Sequence, residues 1–187
     1  MSDRPTRDVR DSKVLAAMSH PLRRRLLDIL RVDGPSTASV LADRTGQAVG
    51  NISHHLKVLA ASELVEEVPE LARDRRERWW RRSADVISWS MSDFPDDPVA
   101  AAAESLVLER QTALARQWFA ERDGHPEAWR RAAFTTDHWA RLSVAELAEL
   151  EEKILALFTS LADREVPDDG EERKLVFLTA RAVPGRP

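Results

Sequence analysis

The sequence predicts a predominantly helical α+β chain in two parts, on three observations. Apolar residues recur at three- and four-residue spacing through most of it, the period of one helical face, with a few short β-patterned runs between. Charge is divided unevenly: residues 1–92 hold 16 Lys+Arg against 13 Asp+Glu, net +3, and residues 93–187 hold 12 against 19, net −7. Such asymmetry points to parts with different partners. Between the halves, Ser92 to Pro98 is rich in Asp and Pro and breaks the periodicity, which marks 93–98 as a linker.

Taken in order, residues 1–12 read as a flexible arm. Val14, Leu15 and Met18 mark a short helix that stops at Ser19-His20-Pro21, because Pro biases its predecessor away from the helix and can itself open the next one. Leu22, Leu26, Ile29 and Leu30 stripe that second helix, which Asp33-Gly34-Pro35 ends. Ser36 or Thr37 can cap a third helix carrying Val40 and Leu41, closed at Thr45-Gly46 where Gly can supply a positive φ. A fourth helix follows over 48–61. Leu64 to Val68 then reads as a short strand and Glu77 to Arg81 as its antiparallel partner, joined by a basic loop, Leu71 to Arg76. Residues 13–92 therefore have the order of a helix-turn-helix followed by a wing.

Beyond the linker, residues 99–187 read as helix, strand, helix, strand. The first helix runs from about Val99 to Arg122, with Leu106, Val107, Leu114, Trp118 and Phe119 on its buried side. The stretch from Trp129 to Leu142 has no single period, but Ala133 to Ala140 alternates as a strand does. Ser143 and Glu146 form a capping box. Behind it Leu147, Leu150, Ile154, Leu157 and Leu161 make a narrow seam suited to another helix of this chain or of a second copy. Leu175 to Ala182 reads as a final strand.

The fourth helix carries the chemistry. Val49, Ile52, Leu56 and Leu59 stack on one face, leaving Gly50, Asn51, Ser53, His54 and Lys57 outside, and that outer face has no acid. A surface lying against phosphates and base edges has this requirement. His55 stands nearer the buried edge, where a structural role and a phosphate contact are both open. At the loop between the two strands, Arg73, Arg75 and Arg76 can lie along phosphates or enter a minor groove. A solvated charged hairpin is the plainer alternative.

His20-Pro21-Leu22-Arg23 with Arg25-Leu26 and Ile29-Leu30, then Leu41-Ala42, then Ile52 to Leu59, then Leu64-Val65, together resemble the ArsR/SmtB family of bacterial winged-helix transcriptional regulators. The resemblance covers residues 12 to about 83. It implies a homodimer on double-stranded DNA, bound to an operator as a two-fold unit and usually a repressor released by an effector. It makes the fourth helix the recognition helix, with Asn51 suited to adenine and Ser53 and Lys57 to phosphates. It also implies that the additional chain after residue 92 contributes to dimerisation.

Two features depart from that family. Its metal sensors place Cys pairs on the third helix, where this chain has Val40-Leu41-Ala42-Asp43-Arg44. The wing also lacks the usual Gly at its tip. His125 and His138 stand far apart in sequence, neither at i, i+4 from another His, so no metal or other cofactor is expected. Trp118, Phe119, Trp129, Phe134, Trp139 and Phe158 could line an apolar pocket for an unidentified small-molecule effector, although core packing is the commoner use of such residues.

Composition narrows the remaining classes. With 187 residues, 43% of them apolar, and a net charge of −4, the chain can bury a core. There is no Cys, which excludes disulfides, thiolate zinc sites and a Cys nucleophile and suits a reducing cytoplasm. Residues 1–12 lack a signal-peptide core and no apolar run approaches a membrane span, so a cytoplasmic location without membrane partners is expected. No glycine-rich phosphate loop, nucleophile elbow or clustered His and carboxylate is present, and an enzyme is not expected. A winged helix used for protein contacts without DNA is the competing reading.

Overall fold

The computed structural model describes residues 6–74, 77–84 and 86–186. They divide into two compact units that meet between Thr112 and Ala113.

The first unit is built on four helices, α1 (Ser12–Met18), α2 (Pro21–Val32), α3 (Ala38–Thr45) and α4 (Val49–Ala61), and the beginning of α5 (Pro98–Glu121). Its strands are β1 (Thr6–Asp8), β2 (Ser36–Thr37), β3 (Val65–Glu67), β4 (Trp79–Arg82) and β5 (Val86–Ser88). Caps explain most helix ends. Asp11 accepts the Lys13 N–H to start α1, and His20 accepts the Leu22 N–H to start α2, whose first residue is Pro21. Thr37, rather than Ser36, caps α3 by accepting the Val40 N–H. Gly46 closes α3 in the left-handed region, φ 69°, where a residue with a Cβ is strained.

Leu15, Leu26, Leu41, Ile52, Leu56, Leu59 and Leu64 are the large side chains fully removed from solvent, each contributing roughly 1.5–3 kcal/mol by burial. They come from α1, α2, α3, α4 and the turn before β3, so one core holds all four helices. A three-stranded antiparallel sheet of order β2-β4-β3 closes its side, with Thr37 opposite Trp79, Glu67 opposite Trp80 and Glu66 opposite Arg81. Cross-strand ion pairs, Arg81 to Glu66 at 2.7 Å and Arg78 to Glu67 at 3.0 Å, fix the register of the outer face.

Several expectations are corrected here. The residues before α1 are not a loose arm throughout: β1 pairs in parallel with β5, and Val9 is buried in the core. Arg7 from β1 donates to the carbonyls of Ser62, at 2.9 Å, and of Glu63, with an ion pair to the Glu63 carboxylate at 3.2 Å. The turn after α4 needs this support, since Glu63 holds a positive φ of 53° without being Gly. The linker expected at 93–98 is packed: Phe94 is buried, and Ala100 and Ala103 of α5 join the same core. The division falls inside α5 instead, because the first turns of that helix belong to the first unit.

The second unit contains the remainder of α5, α6 (Glu127–Ala132) and α7 (Val144–Asp163). The capping box of α7 forms as expected, Ser143 N–H to Glu146 Oε2 at 2.7 Å and Glu146 N–H to Ser143 Oγ at 3.2 Å; the Ser143 N–H first, and the Ser143 side chain second, hold the Glu146 carboxyl below its ordinary pKa. The two expected strands do not appear as ladders. Residues 133–143 and 165–168 and 171–186 carry no regular structure, although the indole N–H of Trp129 bonds Glu172 at 3.1 Å and Trp139 lies under Gly185. Among the described residues of this unit none is buried.

Candidate nucleic-acid interface

α4 presents two faces. Ile52, Leu56 and Leu59 are fully buried and fix the helix against α1, α2 and α3. Val49, read from the sequence as part of that spine, is 47% exposed, because the first turn of α4 projects past the core edge. The outer face carries Gly50, Asn51, His54 and Lys57, all exposed, with Ser53 half-buried. Glu and Asp are absent from the whole of α4. A Cβ added at Gly50 would meet nothing within 4 Å, so the backbone there is open to close approach by a ligand.

His55 is not on this face. At 7% exposed it belongs to the interior, its ring 4.6 Å from that of His20; of the two roles left open for it, burial favours the structural one over the phosphate contact. Burial, followed by the charges of His20, Arg23 and His54, lowers its pKa.

Two features of the site were not read from the sequence. Gln47 accepts a hydrogen bond from the Asn51 side-chain amide through Oε1 at 3.1 Å, an i, i+4 pair across the helix start that holds the Asn51 amide in one orientation. An open cleft between α3, α4 and β4 is lined by Thr37, Ser39, Ser53, Lys57, Glu77 and Arg78 among others, with Arg78 paired to Glu67. The hydroxyls and Lys57 in that mixture suit phosphate oxygens; the Glu77 carboxylate opposes them. The i−4 position of Gln47 could have been found by helical spacing, whereas the presence of Arg78 in the same cleft as Lys57 depends on the strand register.

The wing is braced at its base. Glu77 accepts the Arg73 N–H at 2.8 Å, and Asp74 accepts the Glu77 N–H at 3.0 Å. Arg73 is exposed; Arg75 and Arg76 lie outside the described residues.

The motif around Pro21 has a structural function. Arg23 donates to the carbonyls of Ala17 and Ala16, closing α1, while His20 opens α2. Arg25 donates to the Arg44 carbonyl at 3.0 Å, tying α2 to the end of α3. These contacts tie α1 to α2 and α2 to α3.

The aromatic residues considered for an effector pocket do not enclose one. Phe134 is 81% exposed, and Phe119 and Trp139 are also exposed. Trp118 packs on His125 at 4.9 Å, whereas Trp129 lies under the Lys174 ammonium, 5.5 Å from its ring centroid. Phe158 is half-buried on α7. The described contacts take them to separate neighbourhoods. Among the described residues no three His, Asp or Glu side chains converge to hold a metal ion, and no helix is long and apolar enough to cross a membrane.

Three helices packed at a turn, followed by an antiparallel wing whose sheet takes in a strand from before the third helix, define a winged helix-turn-helix. Residues 18–68 match the family model described as a helix-turn-helix domain. No curated protein matches the chain. Among solved structures it is similar to a homodimeric winged helix-turn-helix DNA-binding domain from Mycobacterium bovis, at 19% identity over 63% of this chain and 88% of that one, TM-score 0.36. A transcriptional regulator from Thermotoga maritima is similar at 17% identity over 79% and 89%, TM-score 0.34. Lactococcus lactis ZitR in complex with DNA is similar at 17% identity over 78% and 73%, TM-score 0.32.

Proposed function

We propose that this chain is a sequence-specific transcriptional regulator of the ArsR/SmtB type, a homodimeric repressor of a palindromic operator. The observation that carries the reading is the exposed, acid-free face of α4, held by a helix-turn-helix. α4 lies in the major groove. Asn51, oriented by Gln47, reads adenine through its amide; Lys57 and Ser53 hold phosphates; His54 contacts either. Gly50 lets the backbone approach. Arg73, with Arg75 and Arg76, follows the backbone or enters the minor groove.

The second unit serves assembly. Its described residues include none that is buried, and Leu150, Leu157 and Leu161 of the α7 seam are exposed. A second copy offers the same seam and covers it symmetrically.

Selection of bound sequences from random DNA tests the reading. A palindromic consensus with half-site centres about 34 Å apart is expected, with affinity falling steeply as salt rises. Failure to enrich any sequence would favour a winged helix that contacts protein.

A further inference from the structure

The inner side of α4 carries a polar group that neither the core nor the outer face uses. His55 Nδ1 is buried without a hydrogen-bond partner, and its ring lies 4.6 Å from that of His20, tilted by 42°. His20 stands at the N-cap of α2, where Nδ1 accepts the Leu22 N–H at 3.2 Å. That bond needs an unprotonated nitrogen, since both nitrogens of an imidazolium are donors. The charged and titratable groups acting on His55 are His20 and Arg23 at the start of α2 and His54 on its own helix. All of them are cationic or become so with a proton.

We propose that His20 and His55 form a proton-operated latch between α2 and α4: while both rings are neutral α4 is docked, and a proton on either ring loosens it. A proton on His20 removes the acceptor that caps α2. A proton on His55 places a cation in a buried seam beside Arg23 and two imidazoles. The latch concerns how α4 is held, and it stands whether or not α4 reads DNA.

The direction follows from linkage. Burial first, and neighbouring cations second, lower the pKa of both rings below 6.5 in the folded chain. The unfolded chain therefore takes up protons more readily. The stability that the neutral pair contributes is whole above about pH 6.5 and is lost as pH falls through the lower folded values.

The test uses the full chain in a His54→Gln background, which removes the exposed imidazole. Histidine-ring NMR resonances are titrated from pH 8 to 5, and the thermal midpoint is measured across the same range. Expected are His55 and His20 titrations below 6.5 and a midpoint that falls on acidification. In His20→Asn, which retains a capping oxygen at every pH, and in His55→Leu, which fills the seam, that fall is reduced. If His55 titrates at or above 6.5, or if His20→Asn keeps the full acid dependence, the latch is wrong. Both readouts decide the matter even where His55→Leu fails to fold.

Discussion

Two glycines flank the start of α4, and the same substitution should act on them with opposite sign. Gly46 closes α3 at φ 69°, whereas Gly50 lies in the first turn of α4 (Val49–Ala61). A Cβ at either position meets nothing within 4 Å, so steric crowding is removed from the comparison and only backbone preference remains. At Gly46 a Cβ in the left-handed region costs about 1–2 kcal/mol; at Gly50 the higher helix propensity of Ala contributes about 0.5–1 kcal/mol of stability. For a chain of this size ~1 kcal/mol moves the thermal midpoint by about 2–4 °C. Gly46→Ala is therefore expected to lower the midpoint of the first unit by roughly 2–8 °C and Gly50→Ala to raise it by roughly 1–4 °C. Gly46→Asn should recover part of the loss, because Asn tolerates this conformation. Calorimetry on the full chain measures all three, alongside binding to a selected operator. Gly50→Ala should bind more weakly while being more stable, since the methyl group occupies the space left for the groove. Shifts of the same sign for the two Ala variants, or a neutral Gly46→Ala, would refute the argument from backbone conformation.

Other substitutions probe the remaining links. Asn51→Ala should cost ~1–3 kcal/mol of discrimination at one operator position, read as relaxed preference there in a binding-site selection. Lys57→Ala should weaken all sequences alike and reduce the salt slope by about one, which titration at several salt concentrations measures. Leu56→Ala removes a fully buried side chain and should destabilise by about 2–5 kcal/mol, monitored by urea unfolding. Glu substitutions at Leu150 and Leu157, exposed on α7, should weaken dimerisation roughly tenfold or more in sedimentation while leaving the midpoint of the first unit unchanged. An unaltered sedimentation profile would place the dimer contact elsewhere.

How far the sequence could be read depended on whether each segment's signal was local. The four helices and the wing strands follow from periodicity, a Pro and a Gly, and each lies within the segment that announces it. Thr37 rather than Ser36 is the cap because α3 begins at Ala38, a boundary that two adjacent hydroxyl residues leave open in the sequence. β1 and β5 were missed because three-residue strands have too few positions for an alternation to show, and their partnership spans most of the first unit. Val49 was placed on the buried spine of α4 although it is exposed, and the full burial of His55 was left open, for a related reason. Helical spacing gives the order of residues around the axis, but the width of the buried arc depends on what packs there, and His20 extends it over His55. In the second unit the alternation at Ala133 to Ala140 and the apolar run from Leu175 are present, but an extended segment becomes a strand only when another backbone accepts its hydrogen bonds.

The clasp of Arg7 on the turn after α4 bears on the route by which the domain forms. It joins positions 55 and 56 residues apart, and closing a loop of that length demands entropy that local contacts do not supply. The helix can wind early from its own residues, but its far end is secured only when the β1 segment returns and pairs with β5. Folding followed by hydrogen exchange should show protection of the middle of α4 before that of Ser62 to Leu64, and an Arg7→Met chain should unfold faster while folding at nearly the same rate.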